Sequence, residues 1–308
     1  MPRISRQMKE TIKTVTFLLV VAALVVCYII YPLNRVKTSM GRTNFDDYDA
    51  DSLAVNDATA YIEIGLNPDT FRVESDGLTT LACLYVAPNL DSLDQIKGTV
   101  FLVHEDGADR DAMAPLARLF VDSGFAVVAF DQRASGRSTG EYRGEGQYEA
   151  NDLDEVIRYL DLRERIIHPL ITVGYSLGAD GGLLAALEEK RINGVVAVNP
   201  YLSTRRMQDA LKKQYDMLWF PFFRTIMWWW YDIRSSYAAP YRDIDDIEPV
   251  ACRTLLLTTP EAAQDDEIQR IKELSPPELL ECHTIPASDE ELHREILHFA
   301  TSTTSREL

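Results

Sequence analysis

Hydrophobic and polar positions divide the chain into three stretches. Residues 14–34, TVTFLLVVAALVVCYIIYPLN, carry no charge between Lys13 and Arg35. At about 1.5 Å per residue a helix there spans roughly 30 Å, the thickness of a hydrocarbon core. Bulky Tyr28, Ile29, Ile30 and Tyr31 stand where a cleavage site needs small residues, so the run reads as an uncleaved single-span anchor. Arg3, Arg6, Lys9 and Lys13 precede it, and the basic residues behind it soon give way to FDDYDAD. The positive-inside bias therefore puts residues 1–13 in the cytoplasm and the large domain on the far side, periplasmic or extracellular. Residues 35–59, polar and acidic, read as a stalk.

From residue 60 to 308 the pattern alternates. DTFRVESDGLTTLACLYVAP predicts a hairpin of two alternating runs around Asp76 and Gly77. KGTVFLVHED, FAVVAFD, LITVGYS, INGVVAVN and RTLLLTT are short apolar runs, the signature of strands buried on both faces. Helical spacing separates them. Met113, Leu116, Leu119 and Phe120 fall on one face, as do Leu153, Val156, Ile157 and Leu160. ELLECHTIP predicts the last strand, and SDEELHREILHFA the last helix, opened by a capping box from Ser288 to Glu291. The order implies an α/β domain with a mostly parallel sheet and helices on both faces. The alternation breaks at about residues 200–250, which predicts a helical cap over the strand ends.

Composition narrows the partners. A formal net charge of −17 repels phosphate backbones, so a nucleic-acid partner is not expected. None of the four cysteines lies in a CxxC pair, and no metal or cofactor is implied. Cys252 and Cys282 fall on strands predicted to be neighbours, which leaves a disulfide or two buried thiols open.

The chemistry is carried by TVGYSLGADGG, residues 172–182. Gly174, Ser176 and Gly178 form G-x-S-x-G between an apolar strand and a helix of small residues. Glycines on both sides let a sharp turn close, and the helix N-terminus favours developing negative charge. With this elbow, with KGTVFLVHEDGADRDAMAPLARLFVDSGFAVVAFDQRASGRSTG before it and DIDDIEPVACRTLLL after it, the chain resembles the α/β-hydrolase superfamily over about residues 69–300. It is similar to the single-domain serine hydrolases of lipase, esterase and acyl-peptidase type.

The resemblance implies Ser176 as nucleophile, with the N–H groups of Leu177 and of about Asp106 as the oxyanion hole. It implies a structural role for the loop Asp131–Ser138. Three departures accompany it. Glu105 and Asp106 follow His104 where the family carries His-Gly. The acid position falls near Ala262, with Glu261, Asp265 and Asp266 as substitutes; Asp265 and Asp266 read equally as first-turn helix acids. Asp289 stands where the family has its histidine, and of five histidines only His293 follows the last strand within reach, either as base or as a helix-surface residue.

All four tryptophans lie in MLWFPFFRTIMWWWYD, within the predicted cap. They suit an acyl-binding lid, a surface that dips into the membrane, or a small aromatic core. Two functions stay open, beside a third class, a structural member of a membrane complex. One is a membrane-tethered serine hydrolase acting on an ester, thioester or amide of a small or acyl-bearing substrate. The other is an inactive α/β-hydrolase-fold protein that binds a ligand or partner in the same pocket.

Overall fold

The computed structural model describes residues 6–26, 30, 57–90, 95–140, 143–214, 225 and 241–305. The predicted strand runs assemble there into one eight-stranded sheet. β1 (Asp69–Ser75) and β2 (Thr79–Val86) form the hairpin. Asp76 and Gly77 take φ of 51° and 72°, the left-handed pair that a tight primed turn requires. Asp76 Oδ1 accepts the N–H groups of Leu78 and Thr79 and fixes that turn. The predicted alternation holds for β1 better than for β2. Leu81, Cys83 and Tyr85 of β2 enter one core and Leu84 and Val86 the other, so β2 is buried on both faces.

β3 (Thr99–Val103), β4 (Ala126–Phe130), β5 (Leu170–Tyr175), β6 (Ile192–Val198), β7 (Arg253–Thr258) and β8 (Leu280–Thr284) run parallel to one another. The sheet order is β1-β2-β4-β3-β5-β6-β7-β8. After β3 the chain lays β4 on one side and then returns to lay β5 on the other. That reversal leaves a crevice beyond the C-terminal ends of β3 and β5, the place where open α/β sheets bind ligands.

Helices cover both faces. α1 (Arg6–Val25) and α2 (Thr59–Glu63) precede the sheet; α3 (Ala114–Asp122), α4 (Gln147–Asp161), α5 (Leu177–Glu188), α6 (Thr204–Gln214), α7 (Asp266–Leu274) and α8 (Asp289–Thr304) follow in order. Leu153, Val156, Ile157 and Leu160 of α4 and Ile268 and Ile271 of α7 fill one core. Leu116 and Phe120 of α3 and Ile296 and Phe299 of α8 fill the other. Gly124, with φ 91°, ends α3, where Phe125 N–H returns to the Phe120 carbonyl.

Three expectations meet the structure only in part. α1 is helical through the apolar residues 14–25, about 18 Å of rise. Among the described residues no helix is long and apolar enough to cross a membrane; residues 27–29 and 31–34 of the predicted span lie outside them. Of the cap, α6 and the return from Tyr241 are described, whereas Trp219 and Trp228–Trp230 fall outside. Cys252 and Cys282 are free thiols. The β7–β8 register opposes Cys282 to Leu256, four residues beyond Cys252. At about 3.3 Å per residue they stand too far apart to bridge.

Candidate active site

Ser176 stands in the turn between β5 and α5, with φ 52° and ψ −117°. A β-branched or ordinary residue pays heavily for such a backbone, and it persists because the surroundings over-determine it. Its N–H donates to the Val198 carbonyl at 2.9 Å, and its carbonyl accepts from Ala179 and Asp180. The flanking glycines are sterically required. A Cβ on Gly174 would lie 2.2 Å from the Gly178 carbonyl oxygen, and one on Gly178 would lie 2.7 Å from that of His104. The start of α5 is thus pressed directly on the end of β3, which brings the elbow and the loop after β3 together. Leu177 is the first residue of α5, where backbone N–H groups lack intrahelical acceptors.

The loop after β3 turns at Asp106 and Gly107, with Gly107 at φ 81° and Ala108 N–H returning to the Glu105 carbonyl. Asp106 pairs with Arg143, a buried guanidinium. The acidic departure in this loop is therefore half neutralised within the protein. Glu105 stays exposed.

His104 is enclosed, 1% exposed. Its Nε2 accepts the Gln132 N–H at 3.0 Å, so the proton sits on Nδ1, which donates to the Glu105 carbonyl at 2.8 Å. Burial pushes its pKa down to about 4. A neutral ring with both nitrogens engaged has nothing left to offer Ser176. His168 lies before β5, at the opposite end of the strand from Ser176, next to Asn193. His283 on β8 pairs with Glu295.

His293 lies on α8, one turn beyond Asp289, and is half-buried. Burial lowers its pKa, against the pull of Asp289, so the ring is neutral near pH 7, as a general base must be. Asp289 and Glu105 both act on Tyr175, the residue before the nucleophile, whose phenol burial pushes up strongly. The N-terminus of α8 therefore lies within electrostatic reach of the Tyr175 phenol.

Asp265 and Asp266 open α7. Asp265 pairs with Arg206 of α6 at 2.9 Å. Both acids line a polar cleft of about 510 Å³ together with Asn199, Tyr201, Arg206 and Glu261. Tyr201, which follows β6 beside the elbow, lines this cleft. Sequence reasoning passed over Tyr201, Arg143 and Asp180. Tyr201 had a signal: it follows β6 closely, on the sheet edge where the elbow emerges.

The loop Asp131–Ser138 is internal scaffolding. Asp131 accepts the N–H groups of Arg110 and Arg137 at 2.7 and 2.9 Å, and a Cβ on Gly136 would lie 2.5 Å from its carboxyl carbon. Arg133 makes two bonds to the buried Asp152, at 2.8 and 2.6 Å.

Solved structures share this architecture. The Pyrococcus furiosus esterase Pf2001 superposes with a TM-score of 0.60 at 20% identity, covering 78% of this chain and 93% of that one. The 2,6-dihydroxy-pseudo-oxynicotine hydrolase gives 0.58 at 18%, covering 80% and 70%. Proline iminopeptidase of Mycobacterium smegmatis gives 0.54 at 13%, covering 78% and 100%. At such identities the likeness speaks for the fold. No curated protein matches the sequence significantly. Residues 94–259 match the family described as serine aminopeptidase, S33. Because that match runs from β3 to the end of β7, takes in the elbow and spans more than half of the chain, the protein belongs to the serine aminopeptidase S33 family of α/β-hydrolases.

Proposed function

We propose that the protein is a serine hydrolase that cleaves an ester, thioester or amide of a small or acyl-bearing substrate through an acyl-enzyme on Ser176. The Ser176 backbone carries this reading. Holding a non-glycine residue at φ 52° costs on the order of 1–3 kcal/mol, and the fold spends it at the residue whose hydroxyl the chemistry needs. In acylation Ser176 Oγ bonds to the carbonyl carbon, its proton passes to a base, and the base returns a proton to the leaving group as the carbon–heteroatom bond breaks. His293 is the base in this scheme, neutral and one turn into α8. Asp266 or Asp265 steadies the imidazolium. The N–H groups of Leu177 and Asp106 take the oxyanion. The cleft of about 510 Å³ suits a small molecule, since such sites run from roughly 300 to 1,000 Å³.

The same reading places residues 14–34 in a membrane, residues 35–59 as a stalk and the cap at residues 200–250 over the cleft, with the domain on the non-cytoplasmic side. A second function, ligand binding without catalysis, draws on one observation: the imidazole of His104, at the end of β3 against which the elbow is pressed, is sequestered with both nitrogens engaged.

A fluorophosphonate probe separates the two. The hydrolase reading expects labelling of the wild type at neutral pH, abolished by Ser176→Ala and reduced by several orders of magnitude in His293→Ala. A wild type that resists labelling while folded and ligand-competent sinks the hydrolase reading.

A further inference from the structure

We propose that the polar cleft beside the elbow takes a neutral polyhydroxylated group, a sugar, and that the bond cleaved is an ester on one of its hydroxyls. The first half rests on the cleft alone; the second rests on the hydrolase reading. The cleft opens beyond the C-terminal ends of β6 and β7, where Asn199 and Thr259 enter its wall. The β5–β6 register sets Tyr175 against Val198, so Ser176 and Asn199 are the next residues out on strands about 4.8 Å apart. Ser176 N–H donates to the Val198 carbonyl at 2.9 Å and Asn199 N–H to the Leu257 carbonyl at 2.7 Å, which fixes nucleophile and cleft wall to one another. Asn199 holds φ 50°, a left-handed backbone that asparagine tolerates better than most residues. Its Oδ1 has no hydrogen-bond partner among the described residues.

The two walls differ in charge. α6 is the mainly basic one, with Arg205, Arg206 and Lys213 against Asp209; the charged residues of the stretch after β7 are all acids, Glu261 and Asp265 among them. The walls are locked together. Arg206 pairs with Asp265 at 2.9 Å and donates to the Pro200 carbonyl at 2.6 Å, and Ser203 Oγ donates to Glu267 at 2.9 Å. The cleft is therefore preformed. A ligand with a net charge would face like charge on one wall, and an acyl chain would meet only Ala210, Ile244 and Ala262 as aliphatic side chains. A hydroxyl both donates and accepts, so a ring of hydroxyls serves carboxylates and guanidinium groups alike. The Tyr201 ring adds a flat apolar surface for the C–H face of a sugar. In the reaction Ser176 Oγ bonds to the acyl carbon, the bond from that carbon to the sugar oxygen breaks, and the base gives its proton to that oxygen. Water then releases the acid and restores the Ser176 hydroxyl.

Binding and hydrolysis are tested separately, on the full chain in micelles of a polyoxyethylene detergent, which carries no sugar. The first measurement is NMR saturation transfer to the methyl glycosides of glucose, galactose, mannose, xylose and N-acetylglucosamine. At least one should bind. Its Kd should rise roughly 10-fold in Asn199→Gly, which keeps the left-handed backbone, and in Gln264→Ala, an exposed residue of the wall. Transfer to none of the glycosides, or to glycylglycine or butyrate in their place, overturns the sugar site; so does a Kd unchanged in both variants. The second measurement compares acetate release from a mono-acetate of the glycoside that binds with release from cyclohexylmethyl acetate, an ester of similar shape without hydroxyls. In kcat/KM the sugar ester should lead by roughly 10-fold or more, and Asn199→Gly should narrow that lead through KM. Equal rates on the two esters overturn the ester assignment and leave the hydrolase reading intact. A wild type that binds the glycoside and cleaves neither ester removes the hydrolase reading and the ester half together and leaves the sugar site standing.

Discussion

At the scale of the residue, the elbow works because three positions have no freedom. Gly178 has backbone oxygens of His104 and Val103 within 2.8 Å of where a Cβ would be, and backbone cannot give way as a side chain can. Gly178→Ala should lower stability by about 2 kcal/mol or more in urea unfolding and abolish probe labelling; an unchanged midpoint would mean that the contact between α5 and β3 is looser than described. His104 makes a second test. The folded imidazole, with its pKa near 4, holds a proton less tightly than the unfolded one at about 6.5, so the unfolded state gains protons first as pH falls. The stability this neutral ring confers is complete above about pH 6.5 and is lost as pH falls toward 4, by at most about 3 kcal/mol. Buried Glu145, Asp152 and Asp180, whose pKa values burial raises to about 7, 6 and 6, work in the opposite sense. A comparison with His104→Gln cancels them. The deficit of the variant, measured by urea at each pH, should shrink between pH 6.5 and 4. A constant deficit would mean that the ring is not held neutral.

At the scale of the element, the periodic runs were readable and their partners were not. Val100, Val127 and Val173 sit in short apolar runs that could only be buried strands, and the structure buries each. The Ser288 cap was also readable: its Oγ accepts the Glu291 N–H at 3.3 Å. Ser288→Ala should cost about 1 kcal/mol in thermal or urea unfolding, the usual worth of such a cap. Asp265 shows where local reading stops. An acid at a helix start looks the same in sequence whether it steadies the helix dipole, serves a triad or pairs elsewhere. Its contact with Arg206 joins α6 to the start of α7 and has no local signature. As a half-exposed pair it should be worth no more than about 1 kcal/mol. Asp265→Ala should thus change stability little. If labelling falls 100-fold or more while stability holds, Asp265 is the acid of the triad; if labelling is unchanged, that role passes to Asp266.

At the scale of the whole molecule, the sequence pattern supplied the class of fold but could not supply strand order, since β4 and β5 have the same apolar texture and differ only in the side of β3 they take. That choice creates the crevice, and with it the meeting of the Ser176 elbow and the end of β3. The remaining question of scale is what holds the domain in place. α1 leaves Phe17, Leu18 and Leu19 at 66%, 59% and 65% exposure, an apolar surface that the described residues do not cover. Large apolar side chains left open along a helix mark contact with lipid or protein. The rest of the chain cannot take over a membrane role by charge, because a net charge of −17 is repelled by anionic headgroups. If residues 14–34 are the tether, the full chain should stay with membranes through a carbonate wash, and a version beginning at Arg35 should be released completely and should not bind anionic vesicles. Protease added from the cytoplasmic side should spare the domain, since the basic residues before Thr14 favour that side for the N-terminus. A full-length chain washed free by carbonate would refute the tether, and cleavage of the domain from the cytoplasmic side would refute the orientation while leaving the tether intact.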